Sequence, residues 1–332
     1  MSAPWPPGFE RVPDEEWTRS PVESLARKYD RVDAHGWYSN LDPTVRDLAA
    51  FLEEGDVMLD YSGGTGLLIG RLLDAMPGRR FGVVNVDSSP KFLRLSLEKF
   101  RDEARVAFRL IRYLKAERRL EYVDEVLGAP LRERRVDAIA SANAIHLYLD
   151  LVPTLRSWRR VLRDDGRVFV QSGNVRSPHA RPGWWIIDDT VAAVDEAARA
   201  IVREDARFAR WRAALADEAH VKAHDAWRLK VFPPVRTLDA YAAAFAEAGL
   251  EVVDVAVRPV EARAADWLEF LAVYHEGILG WVGGAEKVTG RPAAEDAVRD
   301  RLELLRLGLD RALGGKDAFQ AAWTYLTLAP QR

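Results

Sequence analysis

The stretch Val57-Met-Leu-Asp60-Tyr-Ser62-Gly63-Gly64-Thr65-Gly66-Leu-Leu-Ile-Gly70 decides how this chain is read. An apolar run ends on an acid, a glycine-dense turn follows, and Leu67, Leu68, Leu72 and Leu73 then repeat with helical spacing. That order is strand, tight turn and helix, the first half of a βαβ unit. Glycine tolerates positive φ and, lacking a Cβ, lets a ligand lie against the backbone. The helix opening near Gly66 is expected to present free N–H groups and the positive end of its dipole.

A dinucleotide site wants G-x-G-x-x-G directly after the strand. Here Gly64-x-Gly66-x-x-x-Gly70 departs from that spacing by one residue, and an acid ends the strand. Asp60-x-x-x-Gly64-x-Gly66 instead resembles the first motif of class I S-adenosylmethionine (SAM)-dependent methyltransferases, D-x-G-x-G-x-G, with Ser62 in place of the first glycine. Taken alone, the stretch also fits a βα turn that binds nothing.

Outward from the turn, Phe81-Gly-Val-Val-Asn-Val86 reads as the next strand and ends on Asp87, twenty-one positions past Gly66. An acid at that offset suits ribose, because a carboxylate accepts both hydroxyls; capping a helix is the alternative. Val-Asp87-Ser88-Ser89-Pro90 resembles the family's second motif, with proline in the first turn of a new helix. A third strand is expected over 105–110. The family places an acid after it for the adenine amine, whereas this chain has Ile111-Arg112-Tyr113. Backbone groups and stacking, or Asp124 or Glu125 beyond a helix starting at Glu117, are the open alternatives.

A short buried strand over 136–140 opens into Asn143-Ala-Ile-His146. A helix over 150–162, a turn at Gly166 and a strand over 167–171 follow. This run, with Arg160-Val-Leu-Arg-Asp-Asp-Gly166, resembles the family's fourth and fifth motifs. The resemblance puts Asn143 and His146 beside the transferred methyl. His146 is the candidate general base, since its ordinary pKa lies near neutrality; a helix-entry histidine bonded to backbone is the alternative.

Residues 1–54 read as a proline-rich arm and helices over the cofactor site, with Tyr29-Asp30 like the Tyr-Asp of many small-molecule members. Tyr29 is a candidate cofactor contact or a core-packing aromatic. Residues 55–174 form the expected SAM-binding core. Residues 175–236 are too long for a plain connection and carry helical spacing with Trp184, Trp185, Trp211 and Trp227, so a cap over the acceptor pocket is expected. Residues 237–332 complete the core, interrupted at about 264–316 by a helical insertion that is a candidate pocket wall or homodimer face.

The 332 residues hold 48% hydrophobic content, no cysteine, and 48 basic against 51 acidic side chains, a net charge of −3. Disulfides, thiolate zinc sites and cysteine nucleophiles are excluded, and a globally basic nucleic-acid binder is not indicated. The start shows no signal-peptide pattern and no segment approaches a membrane span, so a cytoplasmic enzyme with no metal is expected. The resemblance implies an α/β, Rossmann-like, seven-stranded, mostly parallel sheet flanked by helices with helical cap insertions. It implies SAM-dependent O- or N-methylation of a small molecule more than C-methylation. Asp60, Ser62, Gly64, Gly66, Asp87, Ser88, Asn143 and Tyr29 would hold the cofactor. A non-catalytic binding protein on this fold and an NADP-dependent reductase are the alternatives.

Overall fold

The computed structural model describes residues 4–331. Seven strands form one sheet: β1 (Val57–Tyr61), β2 (Gly82–Asp87), β3 (Val106–Leu110), β4 (Val136–Ala142), β5 (Leu162–Ser172), β6 (Leu250–Arg263) and β7 (Ala318–Pro330). Their order is β6-β7-β5-β4-β1-β2-β3, and β7 runs antiparallel to both its neighbours while the remaining pairs are parallel. The chain runs outward from β1 to β3, then returns to β4 on the other side of β1. The carboxyl ends of β1 and β4 therefore flank the topological switch point, where open α/β sheets place their ligands.

Alternation sets the two faces. Met58, Val83, Phe108 and Ala138 pack on one side of the sheet, and Val57, Leu59, Val84 and Ile139 on the other. Every residue of β1 is buried, as expected for a central parallel strand, so Asp60 is a carboxylate in an apolar layer. The β3 edge is covered by the N-terminal arm. Phe108 N–H donates to Arg11 O (3.0 Å), and Trp5 fills the space where a Cβ on Gly82 would come within 2.8 Å of its ring.

Two local expectations change. Gly166 is not a turn between helix and strand: β5 begins at Leu162, and pairing with β4 shifts register between Val136 and Ala138. A Cβ at 166 would lie 2.8 Å from Asp137 O, so glycine there permits a close backbone approach. No helix starts at Glu117. A small hairpin pairs Tyr113–Leu114 with Arg119–Leu120, and helix begins at Val123–Val126.

The two insertions pack together as one helical lobe, in which Ile187–Glu204 lies against Glu295–Leu313. Trp267 Nε1 donates to Thr190 Oγ1 (3.0 Å) and Trp281 Nε1 to Asp195 Oδ1 (2.9 Å), each joining the second insertion to the first. Among the described residues no helix is long and apolar enough to cross a membrane.

Candidate active site

The turn after β1 is held by its own N–H groups. Ser62 and Gly63 N–H donate to Val86 O (2.7 and 3.2 Å), Gly66 N–H to Gly63 O (2.9 Å), and Gly64 N–H to Asp87 Oδ2 (2.9 Å). Four turn N–H groups are thereby engaged, while the helix Leu67–Ala75 still opens with N–H groups that have no intrahelical acceptor. Two carboxylates, Asp60 and Asp87, also line the ligand space.

Asp60 is 1% exposed, and its Oδ2 accepts no hydrogen bond. Burial, reinforced by the charge of Asp87, pushes its pKa up to about 7. A Cβ at Gly63 would fall 2.5 Å from that oxygen, so glycine at 63 is what lets the carboxylate lie under the turn. Asp60, Gly64, Thr65, Tyr38 and Asn143 line a small cavity of about 40 Å³. A ligand cation there would supply the partner that Asp60 lacks.

Asp87 accepts from Gly64 N–H through one oxygen and from Ser89 N–H (2.7 Å) through the other. Burial raises its pKa, against the pull of those N–H donors. The helix Pro90–Phe100 takes Ser89 as its cap, the side chain accepting from Phe92 N–H, so Asp87 is not the capping residue. Its remaining lone pairs face a larger cavity of about 520 Å³, also lined by Tyr29, Ser62, Gly64, Ser88 and Asn143.

The glycines divide the work. A Cβ on Gly64 (φ +55°) would enter open space, whereas one on Gly66 (φ +80°) would strike Phe100 and Ser96 at 2.7 and 2.8 Å. Gly64 leaves room at the cavity; Gly66 permits helix packing and lines neither cavity. Ser62 stands in the left-handed region (φ 62°), where a side chain is disfavoured. Its Oγ is 3.0 Å from the Tyr148 hydroxyl, which also meets Ser141 Oγ at 2.9 Å. Tyr148 thus reaches back from the β4 tip to hold the residue that replaces glycine.

At that tip Asn143 (φ 56°) accepts from Trp323 Nε1 (2.7 Å) and Gln171 Nε2 (3.2 Å), and it lines both cavities. His146 lines neither. Its Nδ1 lies 2.9 Å from Ser172 Oγ, which also accepts Asn174 N–H (3.0 Å). Burial, with Arg236 adding to it, lowers the His146 pKa to about 4, so the ring is neutral at physiological pH.

Tyr29 stacks on Phe92 (centroids 4.9 Å apart) and lines both cavities. Ile111, in the place of the family's adenine acid, gives the larger cavity an apolar wall. Asp124 is engaged by Arg160 (2.7 and 2.9 Å) and Glu125 by Arg119, and neither lines the cavity. The tryptophans of 175–236 also lie off it. Trp185 bridges to Ala321 beside Phe319, and Trp211 donates to Asp300 (2.8 Å). No residue of 175–236 lines the larger cavity; the lobe contributes Tyr274, from the second insertion. Sequence reading missed Tyr274, Tyr148 and the 113–120 hairpin. Only Tyr148 had a signal, lying two residues past His146 at the strand tip.

A family model described as a methyltransferase domain matches residues 59–170. The YcgJ protein of Bacillus subtilis superposes with a TM-score of 0.50 at 14% identity, covering 89% of this chain and 99% of that one. Phosphoethanolamine N-methyltransferase 2 of Haemonchus contortus, solved with S-adenosylhomocysteine, gives 0.49 at 14% identity over 92% of this chain and 57% of that one. Among curated proteins, the highly reducing polyketide synthase Preu5 of Preussia isomera is 27% identical over 174 residues, 48% of this chain. Fusarielin synthase FSL1 of Gibberella zeae is 25% identical over 179 residues, 50% of this chain. Each match spans 6% of the curated relative's own length.

Proposed function

We propose that this chain, which has a class I SAM-dependent methyltransferase-like Rossmann fold, methylates an oxygen or nitrogen of a small-molecule acceptor. The observation that carries the reading is Asp60: a buried carboxylate with one oxygen that has no partner, lining the small cavity beside the glycine turn. Two carboxylate acceptors suit a cofactor bearing an ammonium and hydroxyls, and their charge disfavours a pyrophosphate beside them. A Cβ at Gly70 would meet only Phe100 at 3.7 Å, so that glycine does not serve the close packing required of the third glycine of a nicotinamide motif.

Asp60 would pair with the ammonium of the methionyl end, and Asp87 would accept the ribose hydroxyls. Gly64 leaves room for close approach, and Ile111 and Phe92 offer apolar surface to the base. Bound there, SAM supplies an electrophilic methyl group on sulfonium for in-line attack by an acceptor lone pair. The protein's share is alignment and exclusion of water. Enclosure falls to the 113–120 hairpin, to the segment 147–150 and to Tyr274, in place of the tryptophan-rich cap. A cytoplasmic setting belongs to the same reading.

One observation favours a binding protein on this fold: His146, the candidate base, lies off the cavity. Calorimetry with SAM, S-adenosylhomocysteine and NADPH tests the readings together. SAM and S-adenosylhomocysteine are expected to bind and NADPH is not; NADPH binding alone would overturn the proposal. Asp87→Ala is expected to weaken SAM by about 2 kcal/mol through loss of a charged acceptor, and an unchanged affinity would remove Asp87 from the site.

A further inference from the structure

The sheet ends on β6, and one side of that strand has no neighbour in the sheet. Val253, Asp254, Arg258 and Pro259 are exposed along it, with Val255 and Val257 half-buried between them. An open edge offers a row of unpaired N–H and C=O groups to another strand. The ladder shows which groups those are. Ala322 of β7 donates its N–H to Trp185 O (2.8 Å), and Trp185 N–H donates to Gln320 O (2.9 Å), so Trp185 occupies the side of β7 away from β6. Ala322 pairs with Pro259. That pair therefore exchanges no hydrogen bond, and Pro259 turns its nitrogen and carbonyl outward, where a proline costs the sheet nothing. Alternation turns the N–H and C=O of Val257 and Val255 outward as well. Among the described residues nothing hydrogen-bonds to these outward groups.

The open row has defined ends. The ladder shifts register between Val252 and Asp254, a bulge that leaves Val253 out of step, and Pro259 has no N–H to give. Between them Asp254 to Arg258 is self-complementary. About a two-fold axis at Ala256, Val255 of each copy faces Val257 of the other, each pair exchanging both of its backbone hydrogen bonds. Asp254 of each copy then stands opposite Arg258 of the other, in the pairs whose side chains come closest. Ala256 meets its own copy on the axis, where a small side chain suits the close approach.

Asp254, Ala256 and Arg258 share one face of the strand, in a cleft with Tyr325. Neither charge has an ion-pair partner among the described residues, and Arg258 lies 5.9 Å over the Tyr325 ring. Charges on an edge strand turn away unlike strands, whereas these two match an identical one. Shifting the axis loses the match. An axis at Val255 brings in the bulge, and one at Val257 sets Val255 against Pro259 and parts Asp254 from Arg258. We propose that β6 pairs with β6 of a second copy of this chain, antiparallel about Ala256, joining two sheets into one.

Sedimentation velocity over a range of concentrations reads the association, with circular dichroism to show that each variant is folded. The wild type is expected to dimerise. Asp254→Arg and Arg258→Asp, both at exposed positions, each set like charges opposite one another and are expected to weaken self-association by about tenfold or more. Mixed together, the two variants are expected to form a heterodimer, because both opposite-charge pairs return. The chain has no cysteine, so Ala256→Cys places one thiol per copy, on the axis. The Cα atoms there would be about 4.5 Å apart, within disulfide reach. Oxidised glutathione is expected to link the copies through position 256 and not through Val253→Cys. A wild type that stays monomeric, single variants that dimerise as it does, a mixture that stays monomeric, or linkage no better at 256 than at 253 each overturns the proposal. No residue of β6 lines either cavity, so none of these variants alters a residue of the cofactor site.

Discussion

In the helical lobe Arg301 is fully buried and fully used: it donates to Val282 O, to Gly284 O (2.9 Å) and to His275 Nδ1 (3.0 Å). At the glycine turn Asp60 is almost as buried, and one of its oxygens accepts nothing. Thr65 Oγ1 and Asn85 Oδ1 beside it are also without partners. The turn further holds Ser62, and the β4 tip Asn143, in left-handed backbone. The lobe spends its buried charge on cohesion. The turn keeps charge and strain in reserve, which is where a binding site is expected to depart from the rules of stable packing.

The largest effect should come from the lobe. Arg301→Leu leaves two carbonyls without donors and is expected to cost about 3–5 kcal/mol in denaturant unfolding, with SAM affinity of the folded protein unchanged. A loss under about 1 kcal/mol would break the contrast.

Asp60 should behave oppositely. Its folded pKa, about 7, lies above the ordinary 3.8, so ionisation opposes folding. That penalty is absent well below pH 3.8, grows as pH rises from there towards 7 and is complete above it, reaching on the order of 4 kcal/mol. Asp60→Asn is therefore expected to stabilise the ligand-free protein at pH 8, flatten its pH dependence and weaken SAM. If the substitution destabilises at pH 8, Asp60 is a structural residue.

A smaller effect concerns the strain at Ser62. Tyr148→Phe removes the hydroxyl that holds it and is expected to weaken SAM by about 1 kcal/mol. Adding Ser62→Gly should restore affinity, because glycine needs no such support. Calorimetry of the single and double variants would show additive losses if Tyr148 acts only as packing.

The smallest is expected at His146. Its pKa near 4 makes it neutral across pH 6–8, so a pH–rate profile should show no inflection from it there. His146→Gln should keep kcat within about tenfold of the wild type, whereas a loss beyond about a hundredfold would restore it as the base.

The sequence by itself determined the strand–turn–helix at 57–70, the acid at the end of β2 and the short apolar strand runs, separated by helices, of a doubly covered parallel sheet. Each is written in residues close along the chain, where periodicity and turn chemistry are local signals. Gly64 and Asp87 were legible for that reason, and so was the polar tip at Asn143.

Tertiary structure alone decided the rest. The 113–120 hairpin has strands of two residues, too short for any period to show. Ser62 and Tyr148 meet across 86 positions, and Tyr274 reaches the cavity only because the second insertion folds back towards the N-terminal Tyr29. Tryptophans at 184, 185, 211 and 227 are equally apolar whether they wall a pocket or join two layers, and packing chose other work for them. His146 carries the same imidazole in any sequence. Burial beside Ser172 is what lowers its pKa, and burial is a property of the folded neighbours.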